Sequence, residues 1–527
     1  MHPPLRTSRR AIAVAATAAL ALPLLVTAPA VAQAATPAAQ AATQHKDAKK
    51  GEKLARTLVK RTSAQGAMRH LYAFQRIADA NDGNRAAGTR GHEWSARYAG
   101  GLLQAAGYDV TYQYFDFLYR EAVAENMRQL TPEERDIGIH LMSYTASTPE
   151  GGIEAALAHV PVDETNGTGC APEDFVADDM AGKIALVMRG GCTFAQKQQN
   201  AAAAGAVGAV IYNNVPGELN GTLGEAGAGL VPTGGISQED GQALAATLEG
   251  GQEVTVNLEI IEFSETRRTP NVLAETRGGD AGNVVMLGGH LDSVLEGPGI
   301  NDNGSGSAGV LEAALQLARA DKKGSHTNKV RFALWSAEEL GLLGAHHYVD
   351  NLTEEERDSI ALYLNFDMIA SPNYGLFVYD GDGSEGLSEP GPEGSAQIEH
   401  DINTFMRSQG HEPRPTAFNG RSDYGPFIAV DIPAGGTFTG AEGVKTEQQA
   451  ALWGGTAGVA FDACYHDACD DINNLSRKAL DINVKVIANA LGRYAWDTSG
   501  LTRPVPAEPK HGDTADSGGL HDHHDTH

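Results

Sequence analysis

The spacing of apolar positions changes along the chain. Between Thr62 and Gly107 they recur at Met68, Leu71, Phe74, Ile77 and Ala78, and again at Trp94, Tyr98, Leu102 and Leu103. Side chains three and four apart share a helix face, so helices are predicted there. The stretch "YDVTYQYFDF" follows, where Val110, Tyr112, Tyr114 and Phe115 suit a strand. Over residues 138–261, short apolar runs such as "KIALVMRG" and "AVGAVIYNN" alternate with turns and one Ala-rich helix, "TFAQKQQNAAAAGA". From Thr269 onward a strand–loop–helix order repeats. "NVVMLGG", "VRFALWS" and "ALYLNFDMI" read as strands, "SAGVLEAALQLARA" and "EELGLLGAHHYV" as helices, and a last helix is predicted over Ser476–Trp496.

This order predicts an α/β protein with a mostly parallel mixed sheet sandwiched by helices, built from residues 61–137 and 262–500. Residues 138–261 are predicted as a small, β-rich, separately folded insert. At the N-terminus Arg6, Arg9 and Arg10 precede an apolar run from Ala11 to Val26 and cleavage patterns such as Ala32-Gln33-Ala34. That is the build of a secretion signal over residues 1–34. Residues 35–60, rich in Ala, Thr, Gln and Lys, are expected as a flexible or pro-segment. Residues 501–527, with Pro504, Pro506, Pro509 and the run "HDHHDTH", are expected as a disordered His-rich tail. The mature chain is expected to be soluble, secreted and monomeric.

Charge and cysteines narrow the picture. A formal net charge of -27 excludes nucleic acid and anionic membrane surfaces as partners, because both repel an acidic protein. Cys170, Cys192, Cys464 and Cys469 in a secreted chain point to disulfides. Of the three ways to pair them, the local one is expected, Cys170–Cys192 with Cys464–Cys469. No C-x-x-C pair is present to bind a metal.

Ligands of open parallel sheets bind beyond the carboxyl ends of the strands, and acidic residues gather at those ends here. His290 follows "NVVML", Asp302 lies in the loop after it, Glu338 and Glu339 follow "VRFALW", and Asp367 ends "ALYLNF". His466 lies between Cys464 and Cys469. Carboxylates crowded into one crevice are costly unless a cation is bound. Asp302, Glu339 and Asp367 with one hydroxide are neutralised by two dications, whereas a single dication leaves the site negative. Imidazole and carboxylate without thiolate suit a zinc pair, with cobalt or manganese as substitutes. Asp302, flanked by Asn301, Asn303 and Gly304, is the natural bridge, and two ions about 3.5–4 Å apart would clamp water and polarise a carbonyl. Asp292 is expected to accept the second imidazole N–H of His290 and fix its tautomer. Glu338 and Glu339, adjacent at a predicted helix start, point about 100° apart, so one can bind metal while the other moves a proton.

The segments "GGHLDS", "GINDNGSG", "WSAEELGLLG", "LNFDMIAS" and "CYHDAC" resemble those of secreted bacterial aminopeptidases with a co-catalytic zinc pair, the leucine-aminopeptidase-like metallopeptidases. The resemblance implies that His290 and Asp367 hold one zinc, Glu339 and His466 the other, and that Asp302 bridges them. It makes Glu338 the general base toward a metal-bridging hydroxide and Tyr465 the stabiliser of the oxyanion. It also places Arg421, in "NGRSDYGPF", and Phe438, in "GGTFTG", along the substrate site. The implied reaction is removal of N-terminal, large apolar residues from peptides. The stretch "DMAGKIALVMRGGCTFAQKQQNAAAAGAVGAVIYNN" resembles the core of a protease-associated domain, which carries no chemistry of its own and gates or orients substrate. A single-zinc glutaminyl cyclase and a carboxypeptidase are the rivals on the same frame; a non-catalytic receptor-like protein is disfavoured, since no ligand is missing. A structural calcium, as in some relatives, would fall at Asp470, Asp471 and Asp481, or in "YDGDGSEG" from Tyr379 to Gly386.

Overall fold

The structure, a computed structural model, describes residues 37–163, 165–175 and 180–506, with side chains from residue 44 onward. The segment expected as a secretion signal and the tail beyond residue 506 lie outside the described residues.

Alternation along the strands sets the layers. In Asp280–His290, Val285 and Leu287 enter one core while Val284 and Met286 enter another. A strand of period two buries both faces in this way when helices cover each side. Asn328–Trp335 and Ile360–Phe366 flank it, both parallel to it. One face is covered by the helices Ala64–Asp79, Arg90–Ala106, Gly306–Ala320 and Arg477–Tyr494, through Leu71, Phe74, Leu311, Leu317, Val484 and Ile487. The other is covered by Leu343–Asp350 and Gly425–Ile428, through Tyr348 and Phe427. Three of these helices start where a side-chain oxygen accepts a first-turn N–H: Ser63 from Gly66, Thr89 from His92 and Ser476 from Ala479. The sandwich expected from the sequence is present.

The sheet does not stop at the insert. Thr255–Glu275 pairs with Asn328–Trp335 at one end and with Ile153–His159 at the other. Along most of its length it also pairs with Asp109–Thr131. The boundary expected at 261/262 therefore falls inside an unbroken strand, and the insert shares its backbone hydrogen bonding with the main sheet rather than folding apart. It still has cores of its own, with Ile184, Leu186 and Val210 in one and Val187 and Ile211 in another. The helices Phe194–Ala203 and Gln238–Glu249 belong to it.

Two expectations are corrected. The segment expected to be flexible is helical from Pro37 to Arg61; Leu54 and Leu58 are buried in the main core, and Ala55 is buried as well. Close approach explains it: a Cβ on Gly492 would lie 2.3 Å from Ala55 Cα, so this glycine lets two helices meet backbone to backbone. The helix predicted over "EELGLLGAHHYV" begins only at Leu343. Glu338 and Glu339 instead occupy a turn in which Gly341 and Leu342 both donate to the Glu338 carbonyl at 2.9 Å. Ala337 and Leu342, at φ 57° and 59°, turn the chain out of helical geometry. Both expected disulfides, Cys170–Cys192 and Cys464–Cys469, are formed. Among the described residues no helix is long and apolar enough to cross a membrane.

Candidate active site

The parallel strands deliver the polar residues to one edge. His290 is the last residue of its strand, Asp367 follows Ile360–Phe366 directly, and the Glu338–Glu339 turn follows Asn328–Trp335. Asp302 lies in the short turn Ile300–Ser305 that leads into Gly306–Ala320. His466 is carried by the disulfide-closed loop Cys464–Cys469.

These residues form two triads that share Asp302. His290 Nε2 is 3.2 Å from Asp302 Oδ1 and 3.4 Å from Asp367 Oδ1. His466 Nε2 is 3.3 Å from Asp302 Oδ2 and 3.0 Å from Glu339 Oε2. Ligand atoms about 2.0–2.2 Å from a tetrahedral ion stand roughly 3.3–3.6 Å apart, so each triad has nearly the spacing of a metal site. Asp367 Oδ1 and Glu339 Oε1 are buried without a hydrogen-bond partner. Buried oxygens of that kind demand an explanation, and an ion in each triad supplies one. The donor set of imidazole and carboxylate fits zinc.

Electrostatics point the same way. Burial opposes the charge on His290, yet the carboxylates of Glu338 and Asp367 and contacts to Asp292 and Asp302 hold its imidazole well above the usual range. Burial also works against His466, but Asp302 and Glu339 raise it to about 11. Asp302 is held well below the ordinary carboxylate range by the same imidazoles, against its own burial. Burial pushes Glu339 up to about 7, with the Asp302 charge adding to it. Glu338 is driven well above its usual value by burial; Asp423, Asp367 and Glu339 add to this against the pull of His290. Without a cation, the cluster keeps protons that a pair of dications would displace.

A ring of further contacts surrounds the two triads. Asp292 Oδ1 faces His290 Nδ1 at 3.6 Å and accepts the Glu338 N–H at 3.4 Å. Ser422 donates to Asp367 Oδ2 at 2.5 Å and accepts from Asn365 Nδ2 at 2.7 Å. Asp470 accepts the N–H groups of Asn301 and Asp302 at 2.8 and 2.9 Å, which holds the backbone that carries the shared Asp302 carboxylate. Asp423 lies fully buried beside the cluster, with neither oxygen partnered. Sequence reasoning missed Ser422, Asp423 and the role of Asp470. The only signal was that Ser422 and Asp423 follow Arg421 in a segment already singled out.

The site opens into a cleft lined by apolar groups that include Met368, Phe377, Phe438 and Phe461 and by Arg421 and Tyr465. Tyr465 stacks on the His466 ring at 3.9 Å, and its hydroxyl accepts from Arg421 Nη2 at 3.2 Å. All ten residues named from the sequence thus lie in or against one site. The calcium expectation fares unevenly. Asp470, Asp471 and Asp481 do not converge: Asp470 turns to the Asp302 loop, Asp471 accepts from Asn473, and Asp481 pairs with Lys485. Asp380 and Asp382 do approach Glu399 closely enough to share a cation.

Comparison with known proteins agrees with this geometry. The sequence model of Peptidase family M28 matches residues 271–491, and that of the PA domain matches residues 153–244. Leucine aminopeptidase 2 of Trichophyton tonsurans is 45% identical over 450 residues, 85% of this chain and 86% of its own length. An aminopeptidase of Pseudomonas aeruginosa is 45% identical over 444 residues, 81% of this chain and 80% of its own. Among solved structures, the aminopeptidase from Aneurinibacillus sp. strain AM-1 superposes with a TM-score of 0.66 at 27% identity, covering 86% of this chain and 98% of that one. A zinc aminopeptidase from Bacillus subtilis gives 0.55 at 28% identity, covering 81% and 94%. With the two triads at the strand ends and similarity of this extent, the chain belongs to peptidase family M28, as a metallo-aminopeptidase with an inserted PA domain.

Proposed function

We propose that this chain is a secreted, monomeric, zinc-dependent aminopeptidase that removes large apolar residues from the N-termini of peptides and proteins. One observation carries the reading: Asp302 stands between two metal-fitting triads at the floor of an apolar cleft. Zinc is supported by the donor set and by the zinc aminopeptidase among the similar structures. Two ions are supported by the pairing of the triads. His290, Asp302 and Asp367 would hold one, and Asp302, Glu339 and His466 the other. When bound, such ions supply Lewis acidity to water and to a carbonyl.

The chain's own residues do the rest. Glu338 takes a proton from the attacking water and returns it to the leaving amine; burial keeps its carboxyl basic enough to serve. Tyr465 donates its hydroxyl hydrogen to the developing oxyanion. Arg421 occupies the acceptor side of that hydroxyl, which leaves the hydrogen free. Asp292 holds the His290 tautomer. Phe438, with Met368, Phe377 and Phe461, receives the N-terminal side chain, which is the basis for an apolar preference. The insert orients longer substrates. Export is supported by the two disulfides, which persist in oxidising compartments. A structural calcium, if bound, belongs with Asp380, Asp382 and Glu399, and chelation by a calcium-selective reagent would then lower stability without removing zinc.

The deciding experiment compares chromogenic amides of an N-terminal leucine with substrates that report release from the carboxyl end, alongside elemental analysis. Cleavage of the leucine amide with about two zinc per chain, lost on chelation and restored by zinc, is expected. Release from the carboxyl end alone, or a single zinc with cyclisation of N-terminal glutamine, would replace this reading.

A further inference from the structure

Arg85 is among the largest fully buried side chains of the protein, at 0% exposure. It sits between the helices Ala64–Asp79 and Arg90–Ala106, outside the residues that the family model matches. Its guanidinium donates to three main-chain oxygens: from Nε to Pro298 at 2.8 Å, from Nη1 to Leu291 and from Nη2 to Gly299. Its own backbone N–H donates to Ser293 Oγ at 2.9 Å. The group lies against the Phe74 ring, 5.2 Å from the centroid.

A buried guanidinium is usually paired with a carboxylate, because burying an unpaired cation is costly. Here burial lowers Arg85 to about 10, while Asp292, Asp470, Glu339 and Asp302 favour its charge through space. The donors go to the backbone instead. The carbonyls they reach lie at the two ends of one loop. Leu291 follows His290 directly, and Pro298 and Gly299 precede the turn that bears Asp302. The ends close tightly: a Cβ on Gly299, at φ 57°, would lie 2.3 Å from the Asp302 carbonyl oxygen and 2.4 Å from Ser293 Cβ. A planar fork can hold several divergent acceptors at once, whereas an ammonium is a single point.

We infer that Arg85 is a positioning residue of the metal centre: its guanidinium staples the loop between His290 and Asp302, so that these two ligands face each other before any ion arrives. The inference rests on the metal reading above. It makes the N-terminal helical segment a part of the site.

Hydrogen exchange on the full wild-type chain, stripped of metal, tests it first. The amides of Ile300, Asn301, Asp302 and Gly304 are all hydrogen-bonded and are expected to stay protected. Fast exchange over residues 291–304 that slows only when zinc is added would mean that the ion orders the loop, and would overturn the inference. Arg85→Lys and Arg85→Gln then enter a competition titration against a zinc chelator, with circular dichroism as the check on folding. Both should bind zinc roughly tenfold or more weakly, the size of effect of contacts that orient metal ligands. Affinity of Arg85→Lys within about twofold of wild type would overturn the staple, since charge alone would then suffice. If neither variant folds, the exchange result decides alone. If wild type binds no zinc, the proposed function fails, and the exchange result still reports on the loop.

Discussion

Two loops braced by disulfides treat their polar groups in opposite ways. In the insert, Cys170–Cys192 lies beside Lys197, which is fully buried and donates to the carbonyls of Thr168 and of Gly190, the latter at 2.7 Å. Every strong bond of that ammonium is internal. In the other half, Cys464–Cys469 closes a ring that contains Tyr465 and His466, whose polar atoms turn outward to carboxylates and to the cleft. Both halves have parallel strands, covering helices and apolar cores. The groups beside the two disulfides differ: Lys197 is satisfied, while the carboxylates facing His466 and His290 leave Glu339 Oε1 and Asp367 Oδ1 unpartnered. The shared architecture supplies strand ends, and the convergence of several unsatisfied carboxylates with two imidazoles at one set of them is what sets the candidate site apart.

The hardest break of this contrast is Glu338→Gln. It should lower kcat on a leucine amide by roughly a thousandfold or more, with zinc content and thermal midpoint near wild type. Lys197→Met should do the reverse, leaving kcat on that small substrate unchanged and lowering the midpoint. Steady-state kinetics and calorimetry on both variants check this, and comparable kinetic losses in the two would erase the contrast. Next come the disulfides. Replacing Cys464 and Cys469 by Ser should loosen His466 and weaken zinc binding by about 10–100-fold. Replacing Cys170 and Cys192 should cost about 2–4 kcal/mol of stability and leave zinc affinity unchanged. A zinc titration of each double variant distinguishes them.

The residues of the two triads could be picked out because His290, Glu339 and Asp367 stand at or just past the ends of apolar strand runs, a local signal, with Asp302 in the loop that follows the first of them. His466 was legible because two cysteines flank it. The residues that aim them were not. Arg85 lies 206 residues from Leu291, and Asp470 lies 168 from Asp302; no local pattern announces such pairs. The turn at Glu338 was misread as helix because "EELGLL" has helical composition, while the left-handed φ of Ala337 and Leu342 is imposed by the surrounding fold. The helix Pro37–Arg61 was misread because its burial depends on a glycine at 492, over four hundred residues away.

The pH dependence of stability should also divide the halves, by sign. In the metal-free chain Glu339 is raised by burial from 4.5 to about 7. The folded state then holds the extra proton across that window, so stability falls as pH rises through it. His466, raised to about 11, acts in the same direction: its contribution is full below 6.5 and is lost as pH climbs toward 11. Asp302, held low, keeps its contribution throughout this range. Lys197 is lowered by burial to about 8, so it gives the opposite slope, with stability recovering as pH rises from 8 toward 10.5. Scanning calorimetry of stripped protein should show the midpoint falling by several degrees between about pH 5 and 8. The gain on adding zinc should grow over the same interval. A zinc-induced gain that shrinks with rising pH would contradict the assignment of these protons to the ligand cluster.

The smallest expected effect lies at the rim of the cleft. Arg421 divides its guanidinium between Glu442 Oε1 at 2.7 Å and the Tyr465 hydroxyl at 3.2 Å. Glu442 keeps 44% of its side chain exposed, so solvent screens the pair, and a contact of this kind contributes about 0–1 kcal/mol. Glu442→Gln should therefore lower kcat by about two- to fivefold at most. Its effect should pass through Tyr465, leaving KM for a leucine amide unchanged. A double-mutant cycle isolates that path. In a Tyr465→Phe background the hydroxyl that Arg421 holds is gone, so Glu442→Gln should have no further effect on kcat. The same loss in both backgrounds would show that Glu442 acts on substrate directly, and the rim would then belong with the cleft rather than with the loop that carries His466.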